Sequence, residues 1–169
     1  MLKALATRFF LFFLVAVSLQ GCYSFNGASI PPHLKTIAIP VFDDHSGAGI
    51  AQFRSEFTRG LVDKIDSQSK LRFTPSMASA DALLEGVITS FSDVPGQLSS
   101  KTERAMTNRI TLVVQVTMTD RVKKNLVFKQ SFVGFADYFA GNYVAQQEAI
   151  RVSIGQINDD IFNRVVSGW

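Results

Sequence analysis

From Met106 to Asp120 apolar and polar side chains alternate. Ile110, Leu112, Val114, Val116 and Met118 take one phase; Thr111, Gln115, Thr117 and Thr119 take the other. A period of two puts the sets on opposite faces of a strand, and the polar phase predicts that only one face is covered by the protein's own core. The stretch Asp120–Asn125 ("DRVKKN") turns the chain, and Leu126–Asp137 returns it. Two other stretches follow a helical period. Ile50, Phe53, Phe57, Leu61 and Ile65 form one stripe of a helix over Ile50–Ser67, with Arg54, Arg59, Asp63 and Lys64 on its other faces. Arg59 and Asp63, four apart, are placed to pair on the solvated side. Ile150, Ile154, Ile157, Ile161 and Val165 form the stripe of a second helix over Tyr143–Val166, and Asn142 is positioned as its N-cap.

Shorter segments complete the order. Lys35–Phe42 is β-branched and apolar and predicts a strand, in which Pro40 requires an edge or a bulge because it has no N–H to donate. Leu71–Thr74 and Leu83–Phe91 predict further strands. Asp43–Gly49, Pro75–Ala80 and Ser92–Thr102 predict loops. Strand, helix, several strands and helix imply an α+β fold. The expectation is one mostly antiparallel sheet of about four strands with two amphipathic helices packed on one face.

The first residues follow another pattern. Lys3 and Arg8 are followed by an apolar run of eleven residues, Phe9–Leu19, and then by Gln20-Gly21. The run is shorter than the roughly 20 residues a spanning helix needs, and its flanks are those of a secretory signal peptide. The chain's only cysteine, Cys22, follows directly. "LQGC" (Leu19–Cys22) resembles a bacterial lipobox, which implies diacylglyceryl transfer to the Cys22 thiol and acylation of the new amino terminus. Two or three acyl chains make membrane residence effectively permanent, where one holds only weakly. Tyr23, in the place where an Asp would retain a lipoprotein at the inner membrane, implies sorting to the outer membrane. The expected organisation is a signal peptide over 1–21, a lipidated extended tether over 22–34 stiffened by Pro31-Pro32, and one α+β domain over 35–169.

Composition narrows the function. Of 17 Lys and Arg, Lys3 and Arg8 leave with the signal, so the mature chain is nearly balanced against 14 Asp and Glu and gives no global case for nucleic acid. With its single Cys lipidated, the domain has no disulfide and relies on packing. An enzyme reading lacks support: there is no Gly-x-Ser-x-Gly elbow, and His33 and His45 sit in separate loops with no second Cys to complete a zinc site. "GAGIAQ" (Gly47–Gln52) has Gln52 in place of the third glycine of a dinucleotide fingerprint and reads as a loop and helix start. No cofactor is expected beyond the covalent lipid. Two basic groups stand out: Arg121, Lys123 and Lys124 at the hairpin turn, and Lys101, Arg104 and Arg109 around the start of the long strand. Such groups serve solubility and protect strand edges; in a lipoprotein they are also candidate contacts for the phosphates of an outer-membrane glycolipid.

"GCYSFNGASIPPHLKTIAIPVFDD" (Gly21–Asp44) resembles the LPS-assembly lipoprotein LptE family, in its Bacteroidetes/Chlorobi-type branch, above all in Tyr23–Ile37. "ADALLEG" (Ala80–Gly86) is similar to a second family segment. The resemblance implies an outer-membrane lipoprotein that sits with the LptD β-barrel translocon, plugs its lumen, helps it assemble and assists lipopolysaccharide delivery to the outer leaflet. "KTIAIPVFDD" is also similar to the first strand of periplasmic lipoproteins that regulate cell-wall synthases or build secretion pores, the alternative reading.

Overall fold

A computed structural model of the chain describes residues 30–49, 51–96, 106–167 and 169. Among these residues six strands and two helices follow in the order β1 (Thr36–Ala38), β2 (Asp43–Asp44), α1 (Ala51–Gln68), β3 (Arg72–Phe73), β4 (Ala82–Pro95), β5 (Thr107–Asp120), β6 (Asn125–Phe139) and α2 (Tyr143–Ser167). They form one mixed sheet in the order β3-β1-β4-β5-β6, with β2 also on β4.

The expected four-stranded, mostly antiparallel sheet is corrected in two respects. β1 and β2 pair parallel to β4, and β3 pairs parallel to β1. The chain leaves β1 and β2 through α1, so it returns to the sheet in its original direction, as a helical crossover requires. Of the strand predicted over Lys35–Phe42 only Thr36–Ala38 forms β1; after a gap that contains Pro40, β2 forms at Asp43–Asp44, where the sequence predicts a loop. Phe42, beyond the proline, is tied to α1 instead of to a strand. Its N–H donates to Thr58 Oγ1 at 3.1 Å, and its carbonyl accepts from Arg54 Nε at 2.6 Å. Two backbone groups that the broken ladder leaves over are thereby satisfied.

β4 runs four residues beyond the predicted Phe91. A bulge between Ile88 and Ser90 resets its register, which returns Phe91 and Asp93 to the face shared with Ile88. The serine-rich composition after Phe91 concealed this continuation. β4 and β5 pair antiparallel, as do β5 and β6, and their even-phase positions on β5, Ile110 through Met118, are all buried.

Both helices lie on that buried face and share one core. Phe53, Phe57, Leu61 and Ile65 of α1 and Ile150, Ile154, Ile157, Ile161 and Val165 of α2 pack with the even phase of β5. Ile50 lies outside the described residues. Asn142 Oδ1 accepts the Ala145 N–H at 3.0 Å, the N-cap that the sequence predicts. The charges of α1 pair with other elements rather than Arg59 with Asp63: Arg54 with Asp43, Lys64 with Asp159 and Glu56 with Arg151. Gly134 of β6 permits the helix to approach, since a Cβ there would collide with the Ser153 carbonyl of α2.

Candidate functional site

The face of β4, β5 and β6 turned away from the two helices carries no helix among the described residues. Its register places Val94, Arg109 and Asp137 in one row, then Ser92, Thr111 and Phe135, then Ser90, Val113 and Val133. Further along come Val87, Gln115 and Ser131, then Glu85, Thr117 and Lys129. The face is therefore not uniformly Thr and Gln. Its β6 side carries exposed Val133, Phe135 and Phe139, a phase that the mixed composition of Leu126–Asp137 obscured.

At one end of this face Arg109 Nε and Nη2 donate to the two oxygens of Asp137 at 2.7 and 2.8 Å, and the guanidinium lies 5.1 Å from the Phe135 ring centre. The hydrogen bonds and charge of Arg109 hold the Asp137 carboxyl below its usual range, and Asp137 raises the guanidinium in return. Val94, Pro95, Gly96 and Thr107 join the pair around an open cleft of about 420 Å³. Met106, Phe139, Tyr143 and Val144 are exposed at this end. Behind it, on the helix side, Asp93 accepts from the Tyr138 hydroxyl at 2.7 Å, from Gln146 Nε2 at 2.7 Å and from Asn108 Nδ2 at 3.1 Å. This cluster fastens the start of α2 to three strand ends. Burial, and then the neighbouring Asp93, push the Tyr138 hydroxyl pKa up.

The opposite end of the sheet receives residues 30–34, the last part of the segment that the sequence predicts as a tether, and here they pack into the core. Ile30 and Leu34 are buried, and the Leu34 N–H donates to the Pro31 carbonyl at 3.0 Å. Asp81 Oδ2 accepts the N–H groups of Lys35 and Thr36, each at 2.9 Å, and the Thr36 hydroxyl at 3.0 Å. The Lys35 N–H is the largest influence that lowers the Asp81 pKa; burial opposes it, and the two Thr36 donors add to it. His33 Nε2 lies 2.7 Å from Asp120 Oδ2, and the Lys123 N–H donates to Asp120 Oδ1 at 2.8 Å. Burial of Asp120 favours its neutral form, yet the Lys123 N–H, the His33 ring and the Val122 N–H together outweigh it and leave the carboxyl below its usual range. The Arg121 N–H donates to the Asp81 carbonyl at 2.8 Å, which links the two acids.

These contacts divide the basic residues singled out from sequence. Arg121, Lys123 and Lys124 are exposed at the β5–β6 turn, at the tether end. Arg109 lies twelve residues before Arg121, about 41 Å away along the strand at roughly 3.4 Å per residue, and is engaged by Asp137. The described members thus occupy opposite ends of the sheet. Lys101, Arg104 and Cys22, like the signal peptide, lie outside the described residues. On sequence His33 stands only as part of an incomplete zinc site and Asp120 only as the start of a turn. The signal was present for Asp120, which continues the buried even phase of β5 and so is an acid at an inward position.

The two segments that carry the family resemblance meet here. Asp81 of "ADALLEG" holds Lys35 and Thr36 of the tether motif, and Gly86 of the same segment receives the ring of Phe42. A scan against protein families matches residues 34–165 to LptE, lipopolysaccharide-assembly. Among solved structures, a protein from Xanthomonas campestris superposes with a TM-score of 0.60 at 8% identity, over 80% of this chain and 88% of that one. A Caulobacter crescentus CB15 protein described as a lipoprotein gives 0.56 at 15% identity, over 83% and 96%. A hypothetical protein from Chlamydia trachomatis gives 0.52 at 14% identity, over 79% and 94%. A search of curated proteins finds no match. The structural likenesses establish the fold, and the family match spans nearly the whole described domain: the chain belongs to the LptE lipopolysaccharide-assembly family.

Proposed function

We propose that this protein is an outer-membrane lipoprotein, anchored through Cys22, that binds and plugs an LptD-type β-barrel. In that role it assists the barrel's assembly and the insertion of lipopolysaccharide into the outer leaflet. The observation that carries this reading is the family match over residues 34–165. The shape of the sheet supports it. β4, β5 and β6 are each 14 or 15 residues long, so the open face extends about 45 Å, more than the roughly 25 Å apolar band of an outer-membrane barrel. A partner wall of mixed polarity suits a face with Gln115, Thr117 and Ser131 on one half and Val133 and Phe135 on the other.

The glycolipid contact is assigned to the end remote from the tether. Lipopolysaccharide joins phosphates to acyl chains, and that end combines Arg109, with Lys101 and Arg104 close by in sequence, with exposed Val94, Met106, Phe139 and Tyr143. The Arg109 guanidinium keeps donors beyond those given to Asp137 for a phosphate oxygen. The proposed work is occlusion, partner folding and delivery, with no covalent step.

Depletion of the protein from the cells that make it tests the role. Surface lipopolysaccharide should fall while the glycolipid accumulates behind the outer membrane. Unchanged surface lipopolysaccharide after complete depletion would contradict the reading.

A further inference from the structure

The tether end gathers features that the barrel-plug role does not use. Arg121, Lys123 and Lys124 are three cations within four residues; all are exposed, and among the described residues none of them forms an ion pair. The nearby acids are turned away from them: Asp120 is buried against His33 and the Lys123 N–H, and Asp81 is engaged with Lys35 and Thr36. Between the cations Val122 is 54% exposed, and Leu126 just after the turn is 59% exposed. α2 runs back to the same end, where Arg164 lies 5.0 Å from the Phe128 ring centre. The chain's single tryptophan, Trp169, follows; it is 38% exposed, and its indole N–H donates to the Val165 carbonyl at 2.8 Å. Cations interleaved with exposed apolar side chains and a tryptophan form the composition of a protein surface at a membrane interface.

The connection to the anchor decides which membrane. His33 is held against Asp120 at the base of the turn. Cys22 precedes buried Ile30 by eight residues, which reach about 28 Å at full extension. We propose that the turn 121–124, with Val122 and Trp169, docks on the anionic phospholipid headgroups of the leaflet that holds the lipid anchor. The His33–Asp120 contact is the clamp that directs the turn toward that leaflet. This inference takes the Cys22 anchor from the preceding reading and assigns the turn a partner distinct from the glycolipid at the far end.

Trp169 supplies the readout. The full mature protein, purified from its own membrane, is reconstituted in phosphatidylcholine vesicles with brominated acyl chains, either alone, with phosphatidylglycerol, or with lipopolysaccharide. Flotation with the vesicles reports the anchor; quenching of Trp169 at high lipid concentration reports docking of this end, whether or not the protein floats. Quenching should rise when phosphatidylglycerol is present. In a variant with Arg121→Gln, Lys123→Gln and Lys124→Asn, partitioning of the tip should fall about fivefold per cation removed. Asn is used at 124 because the backbone there has φ of 55°, a region that Asn adopts more readily than most residues with a Cβ. Quenching that is independent of phosphatidylglycerol, or retained in the variant, would overturn the proposal, as would quenching produced by lipopolysaccharide alone. Loss of flotation with quenching kept would refute the anchor and sustain the docking.

Discussion

The ring of Phe42 lies against Gly86, in space that a Cβ on residue 86 would occupy. Phe42 is fully buried and packs on Phe57 of α1 with ring centres 4.8 Å apart, so it has no room to retreat. Gly86→Ala should therefore destabilise the protein by about 1–3 kcal/mol, the usual cost of overpacking a filled core. Gly155 of α2 is the control: nothing lies within 4 Å of the Cβ it lacks, and Gly155→Ala should stabilise by up to about 1 kcal/mol through helix propensity. Thermal unfolding of the two variants compares them directly; equal shifts would contradict the packing argument.

The Asp120 carboxylate, held by the Lys123 N–H and by His33 against the cost of its burial, gives a pH dependence. Folding holds the Asp120 carboxyl below its free value of 3.8, so ionisation favours the folded state. The resulting stability is fully present above that value and is lost as the pH falls from there toward the folded pKa. Asp81, lowered by the Lys35 N–H and Thr36, acts in the same direction. Asp120→Asn should lower stability at pH 7 and flatten the loss of stability below about pH 4. Denaturant titrations at neutral and acid pH check both parts; an unchanged acid limb would remove Asp120 from the account.

Asp93 predicts a local effect. Its carboxylate accepts from Tyr138, Gln146 and Asn108, so Asp93→Ala leaves three donors to find other partners. The expected loss is about 1–3 kcal/mol. Faster amide exchange should concentrate at the start of α2 and the adjoining ends of β4 to β6. Exchange that rises evenly through the protein would argue against this cluster as the fastening of α2.

The sequence was most legible where one period persisted. Among the described residues, the even phase of β5 and the two apolar helix stripes predict the buried residues correctly, because long elements with one covered face impose their period on composition. Three features were hidden for physical reasons. A bulge at Thr89 shifts the phase, so β4 was read as ending at Phe91. Parallel pairing of β1, β2 and β3 depends on the crossover through α1, which two- and three-residue strands do not announce. Exposed Phe135 and Phe139 share a phase with Lys129, Ser131 and Asp137, so that phase of β6 does not read as apolar. At the candidate site, the sequence shows the basic residues as two clusters, and the extended backbone of β5 sets their described members, Arg109 and Arg121, Lys123 and Lys124, at opposite ends of the strand. Asp81 and Gly86 lay within a segment recognised by resemblance, and only the fold explains their part in it: one holds the incoming tether and the other makes space for Phe42.

The central claim concerns the partner. The most direct measurement is to purify the lipidated protein from its own outer membrane in mild detergent and identify what accompanies it. The account predicts a stoichiometric large β-barrel of the LptD kind, with recovery reduced by Cys22→Ala. A homo-oligomeric ring, or a cell-wall synthase with no such barrel, would contradict it.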